Sequence, residues 1–359
     1  MKTFAYLAVA AVALSACGQQ APKGGAEKAA GPSASGRDQV WAAGSSTVFP
    51  FATRVAENVA KTTGGRPAKV ESLGTGGGFK LFCSGTGAGF PDIANASRPI
   101  KKSEFEQCAA NGVTDIVEIK IGYDGIVIAN AKSGPTYNFK IDQVYRGLAA
   151  ELPQGEGFAK NAAKSWKDVD AGLPAQAILV YGPPPTSGTR DAFVELGLEK
   201  GARKLPALEA LREKDEDAFK AKAHTIRSDG AWVDAGENDN AIVQTLTKTP
   251  NAIGVFGYSF LENNLDTVKA ATVDGVAPTF ETISNGTYPV SRSLYVYVKK
   301  ANIGVIPGLR EYVNAFVSDA ATGKGGYLQQ RGLIPLGAEE HAAQKVSVTE
   351  LKTIGAPEK

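Results

Sequence analysis

From Val40 onward, short β-branched runs alternate with stretches whose apolar residues recur at helical spacing, the pattern of an α/β architecture with largely parallel sheets. Residues 40–43 read as a strand that ends in Gly44-Ser45-Ser46-Thr47. Residues 50–61 then place Phe51, Val55, Ala56 and Val59 on one helical face. A second strand at 69–73 runs into the glycine loop Gly74-Thr75-Gly76-Gly77-Gly78, after which 79–83 open a helix. A third strand at 92–96 ends at Ser97-Arg98-Pro99, and a helix at 103–111 and a strand at 116–121 follow. Gly122-Tyr123-Asp124-Gly125 interrupts two apolar runs, because 126–129 is again strand-like, and the first crossing between domains is predicted there.

The second half repeats the alternation. A helix at 143–148 and a strand at 177–181 lead into Gly182-Pro183-Pro184-Pro185-Thr186-Ser187-Gly188-Thr189, with a helix over 190–199. Residues 205–223 form a charged amphipathic stretch whose Glu and Lys residues read as a solvated face. A helix at 238–246 and a strand at 253–255 precede Tyr288-Pro289-Val290 and an apolar run at 294–298, the predicted return strand. Helical stretches at 306–318 and 324–330 complete the first domain, and the tail after Ala338 is polar and reads as peripheral.

Length and composition sharpen this picture. A chain of 359 residues exceeds one small core and suits two domains of ordinary size. Its 43% hydrophobic and 21% charged residues are those of a globular protein, and 39 Lys plus Arg against 37 Asp plus Glu give no field that would draw it to nucleic acid. Any preference for anions must therefore be local.

The amino terminus reads as an export signal. Lys2 precedes an apolar run at 4–14, too short to span a bilayer, and small residues follow. Residues 1–16 are the predicted signal peptide. Leu14-Ser15-Ala16-Cys17 resembles the lipobox of bacterial lipoproteins, which predicts a lipidated Cys17; the alternative is an ordinary signal peptide in which Cys17 is incidental. Residues 17–37, rich in Gly, Ala, Lys, Ser and Pro, read as a flexible tether. Cys83 and Cys108 remain as an even pair in an exported chain, read as a disulfide contributing roughly 3 kcal/mol, with two buried thiols as the alternative. The two histidines, His224 and His341, lie far from both cysteines, so no metal site and no cofactor are predicted.

Three loops share one design in which a strand ends, a Gly/Ser/Thr turn follows and a helix begins: 44–47, 74–78 and 186–189. Ligands of open α/β sheets gather beyond the carboxyl ends of strands, and free N–H groups at helix starts suit an oxyanion. Ser46, Thr47, Thr75, Ser187 and Thr189 add hydroxyl donors, while any one loop alone reads equally as a helix cap. No loop matches a dinucleotide or P-loop glycine pattern. Arg98 and Arg190 follow loop ends, where a guanidinium grips two oxygens, although either also suits a surface ion pair. Phosphate keeps a proton near neutral pH and sulfate does not, so a discriminating site needs an acceptor. Asp124 is the candidate, its alternative role being to stabilise its own turn.

With these residues in place the chain resembles the phosphate-binding proteins of bacterial ABC phosphate importers. The matching segments are Gly44-Ser45-Ser46-Thr47-Val48-Phe49-Pro50, Gly74-Thr75-Gly76-Gly77-Gly78-Phe79-Lys80, Asn95-Ala96-Ser97-Arg98-Pro99, Gly122-Tyr123-Asp124-Gly125, Ser187-Gly188-Thr189-Arg190, Ala252-Ile253-Gly254 with Gly257-Tyr258, and Tyr288-Pro289-Val290-Ser291-Arg292. The resemblance implies that Thr47 and the Val48 backbone, Thr75, Ser187, Gly188 and Thr189 contact phosphate. In the best-described branch an Asp stands where this chain has Arg98 and an Arg stands where it has Pro183, so here Arg98 and Arg190 are expected to supply the cation and Asp124 the acceptor. The implied fold is the two-lobe periplasmic-binding-protein fold joined by two hinge strands, with 38–124 plus 290–359 as one discontinuous lobe and 125–289 as the other. The implied protein is a monomeric, lipid-anchored periplasmic receptor that captures inorganic phosphate and delivers it to the permease subunits of the importer.

Two other readings compete. Another oxyanion such as sulfate or molybdate would use the same turns. A secreted phosphatase is the rival enzyme, but the chain has two His, no Gly-x-Ser-x-Gly elbow and no metal cluster, so neither nucleophile nor base is supplied, and no enzymatic activity is expected.

Overall fold

The computed structural model describes residues 37–236 and 239–358. The expected signal peptide, Cys17 and all of the tether except Arg37 lie outside the described residues. Among the described residues thirteen strands occur in chain order: β1 Trp41–Gly44, β2 Lys69–Ser72, β3 Ile93–Ala96, β4 Ile116–Ala131, β5 Asn138–Phe139, β6 Glu151–Gln154, β7 Gly157–Lys160, β8 Val180–Gly182, β9 Trp232–Asp234, β10 Ile253–Gly257, β11 Val268–Ala270, β12 Thr272–Val273 and β13 Ser291–Lys299. Nine of them form one sheet in the order β2-β1-β3-β13-β4-β10-β8-β9, with β11 on β4. The outer trios β2-β1-β3 and β10-β8-β9 are parallel. They are joined through the antiparallel pair β4 and β13, the two strands that carry the chain between them.

Alternation along the strands builds a core on each face of the first trio. Ile93, Val296 and Val298 pack with Val55, Val313 and Phe316 on one face. Ala94, Ala96 and Tyr297 pack with Phe79 and Phe82 on the other, which is the period of two that a sheet covered on both sides requires. A separate core gathers residues from Tyr123 through Val290, among them Phe139, Trp166, Phe193 and Phe256, and is joined by Ile334 and Leu336. Cys83 and Cys108 sit in the Phe79 core and are disulfide-bonded, spanning 25 residues. Among the described residues no helix is long and apolar enough to cross a membrane.

Four local readings are corrected. The glycines at 74–78 are not a loop but the first turns of a helix, Gly74–Phe82. Burial of Phe79 and Phe82 offsets the poor helix propensity of glycine, and a Cβ on Gly78 would lie 2.4 Å from the Cα of Gly44, so glycine lets this helix press onto β1. Gly122-Tyr123-Asp124-Gly125 does not interrupt the strand; β4 runs unbroken for 16 residues, and Gly122, at φ 151, makes room for the carbonyl of Ile334. The charged stretch at 205–223 is two helices, Pro206–Lys214 and Glu216–Ala223, because the Asp215 side chain accepts from the Ala218 N–H and starts the second. The polar tail is ordered: Ile334 exchanges both backbone hydrogen bonds with Tyr123, and helix Ala338–Glu350 buries His341 and Val348.

Candidate functional site

The turn after β1 is fixed from within. Ser45 Oγ accepts the Val48 N–H at 3.3 Å and its carbonyl accepts the Phe49 N–H at 3.0 Å, so helix Phe49–Thr63 starts directly beyond Thr47 with Pro50 in its first turn. Ser45, Thr47 and Val48 are buried. On the other side of the crossing, Ser187 caps helix Gly188–Phe193 by accepting the Thr189 N–H at 3.2 Å. The two turns meet. A Cβ on Gly188 would lie 3.2 Å from the carbonyl oxygen of Ser46 and 3.4 Å from Cα of Thr47, a contact that glycine makes without strain.

Both turns line one cleft of about 690 Å³, through Ser46 and Thr47 from the first and Ser187, Gly188 and Thr189 from the second, together with Asp124. Asp239, Gln330 and Arg331 also face it. Thr186 and Ser72 line it as well.

The antiparallel register of β4 and β13 sets Arg292 directly opposite Asp124. Both side chains are buried, exposed by only 10% and 11%. Arg292 donates from Nη2 to Thr47 Oγ1 at 2.6 Å and from Nη1 to the Glu195 carboxylate. Its Nε lies 3.7 Å from Asp124 Oδ2, beyond hydrogen-bonding range, and neither atom has a hydrogen-bond partner. A buried donor and a buried acceptor left side by side without partners each cost free energy, and such pairs are kept where something else satisfies them. Burial pushes the Asp124 carboxyl up to about 6, with Arg292 pulling it down and Glu195 adding to the rise.

The remaining predicted residues stand elsewhere. Thr75 Oγ1 accepts the Ser97 N–H at 3.0 Å and shares a hydrogen bond with the Ser97 hydroxyl, so it ties the Gly74–Phe82 helix to the end of β3 and does not line the cleft. Arg98 forms a two-pronged pair with Glu104 at 2.8 and 2.7 Å and lies over the Phe79 ring. Arg190 pairs with Asp234 at 3.2 Å, donates to the Pro183 carbonyl and stacks on Trp232. Neither arginine lines the cleft. Val48 is wholly buried beneath the first turn. The arginine that lines the cleft is Arg331, and Arg292 stands behind it against Thr47 and Asp124, two residues that do line it; the matching segments included Arg292 but gave it no role. Its signal was there, since a return strand running antiparallel to the Asp124 strand brings some side chain opposite that carboxylate.

Residues 29–320 match the PBP superfamily domain. Protein SphX of Synechococcus elongatus is 33% identical over 321 residues, which is 86% of this chain and 80% of that protein. Phosphate-binding protein PstS of Staphylococcus saprophyticus is 30% identical over 347 residues, 95% of this chain and 92% of that one. The crystal structure of a possible phosphate binding protein from Planctomyces limnophilus superimposes with a TM-score of 0.70 at 27% identity, covering 89% of this chain and 100% of the other. Matches of this extent, on a two-lobe architecture joined by β4 and β13, make the chain a member of the PBP superfamily.

Proposed function

We propose that this protein is an extracytoplasmic receptor for inorganic phosphate, which it holds between the Ser46-Thr47 and Ser187-Gly188-Thr189 turns and passes to the membrane subunits of an ABC importer. The observation that carries the reading is the buried pair of unpartnered atoms, Arg292 Nε and Asp124 Oδ2, set 3.7 Å apart, with Asp124 lining a cleft rimmed with hydroxyl groups. One is a donor for an anionic oxygen and the other an acceptor for a proton that phosphate carries and sulfate lacks. The name of the relative PstS, a phosphate-binding protein, points the same way. Residues 38–124 with 290–359 then act as one lobe and 125–289 as the other, hinged on β4 and β13. Cys17 is the proposed lipid anchor, and the protein works as a monomeric receptor without catalytic turnover.

Titration calorimetry of the ligand-stripped protein with phosphate and with sulfate tests this. One phosphate per chain, at an affinity at least about a hundredfold above that for sulfate, is the expected result. Equal affinity for the two anions, or sulfate preferred, removes the assignment, and release of product from a chromogenic phosphate ester would make the protein an enzyme instead.

A further inference from the structure

The cleft is walled by more carboxylate than cation. Asp124, Asp191 and Asp239 line it, and Arg331 is the one cation among the described residues that do so. Arg331 is exposed, and among the described residues its guanidinium has no hydrogen-bond or ion-pair partner. Arg98, Arg190 and Arg292, by contrast, are held by Glu104, Asp234 and Glu195. The backbone beneath Arg331 is well anchored. Its N–H donates to the Leu328 carbonyl at 2.9 Å, the Gly332 N–H to the Gln329 carbonyl at 3.0 Å and the Leu333 N–H to the Leu328 carbonyl at 3.1 Å. Leu328 and Leu333 are wholly buried, and Ile334 beyond them is paired with Tyr123, the neighbour of Asp124. A fixed base at the cleft thus carries a long, permanently charged side chain that nothing holds.

We propose that Arg331 is a phosphate-binding residue whose unoccupied guanidinium meets the incoming anion at the cleft and supplies the two-pronged grip on its oxygens. The proposal rests on the phosphate reading above. Arg292 stands behind the lining with Nη1 committed to Glu195 and Nη2 to Thr47, so a fork for the ligand comes from another arginine. No ion pair has to break before Arg331 engages an oxyanion, and an uncommitted charge at a cleft attracts the opposite charge to an extent that salt screens. A guanidinium has donors alone, so it reads negative charge and oxygen geometry but not the protons of the ligand. Arg331 therefore adds affinity for phosphate and sulfate alike, while the choice between them stays with Asp124.

Calorimetry of the ligand-stripped protein with inorganic phosphate, at about 20 mM and at about 300 mM sodium chloride, reads this role. In Arg331→Gln the affinity should fall about tenfold or more at the lower salt, with a smaller loss at the higher. Arg331→Lys keeps the charge without the fork and should fall between the variant and the wild type. Sulfate competition should give an unchanged ratio of the two affinities, and the ligand-free melting temperature of Arg331→Gln should match the wild type, since the side chain has no bond to lose. Equal affinity in Arg331→Gln and the wild type overturns the role of Arg331, as does a loss of the same size at both salts, a lowered ligand-free melting temperature or an altered ratio. Absence of phosphate binding by the wild type refutes the receptor reading instead, so the two failures are distinct.

Discussion

Thr47 and Arg292, 245 residues apart, are joined by a 2.6 Å hydrogen bond from the guanidinium to the hydroxyl. The same guanidinium holds Glu195 beyond the crossing, so a single side chain at the start of β13 reaches the first turn and the second half of the chain together. Replacing Arg292 by Met removes the guanidinium that stands opposite Asp124 and holds Thr47 and Glu195. Phosphate affinity should fall by a hundredfold or more, about 3 kcal/mol, as measured by calorimetry. An unchanged affinity would move the anion away from β13.

Asp124 predicts an inverse relation between stability and selectivity. Its carboxyl is raised to about 6 by burial, so the folded protein holds that proton more tightly than the unfolded chain. The contribution is fully present below about pH 4, the unfolded value, and is lost as pH rises through about 6. Asp124→Asn should therefore be more stable than the wild type at about pH 7.5 by at most about 3 kcal/mol, with the gap closing toward about pH 4, in denaturant titrations of the ligand-free protein.

The same substitution should admit sulfate. An amide can turn an N–H toward an oxyanion that has no proton to give, whereas a carboxylate repels it. Competition between sulfate and phosphate, followed by calorimetry, should show discrimination reduced at least about tenfold, and unaltered discrimination would show that the acceptor is another group.

Gly188 tests the contact between the turns. A methyl group there would press on the Ser46 carbonyl at 3.2 Å, so Gly188→Ala should weaken phosphate binding about tenfold while the melting temperature barely moves. Equal affinity would mean that the two turns need not touch for the ligand to bind.

The disulfide should behave in the opposite way. Cys83 and Cys108 belong to the core of Phe79 and Phe82 and line no part of the cleft, so Cys83→Ala with Cys108→Ala should cost about 3 kcal/mol of stability and leave affinity intact.

How far the sequence reached differs between fold and site. The alternation of strands and helices was legible because each parallel strand is a short apolar run closed by a turn, and the Ser-Thr and Ser-Gly-Thr turns announced themselves as helix starts. The Gly74–Phe82 helix was hidden because its first five residues carry little side chain and owe their form to Gly44 and the buried phenylalanines. Along the chain Arg98 and Arg190 stood out after their loops, and Arg292 did not. Only folding showed that Glu104 and Asp234 engage the first two, whereas β-strand register hands the third to Asp124. Local pattern locates turns; which arginine faces them is decided by pairing between segments far apart.

The ordered tail changes how the pivot should be pictured. Ile334 is laced to Tyr123 through both backbone groups, and Glu340 accepts from the Tyr123 hydroxyl at 2.5 Å and from Lys120 at 2.7 Å. The residue next to Asp124 is thus gripped from outside by the last stretch of the chain. Shortening the protein at its carboxyl end therefore strips the outer support from the strand that carries Asp124, so the final helix bears on the cleft rather than lying at the periphery.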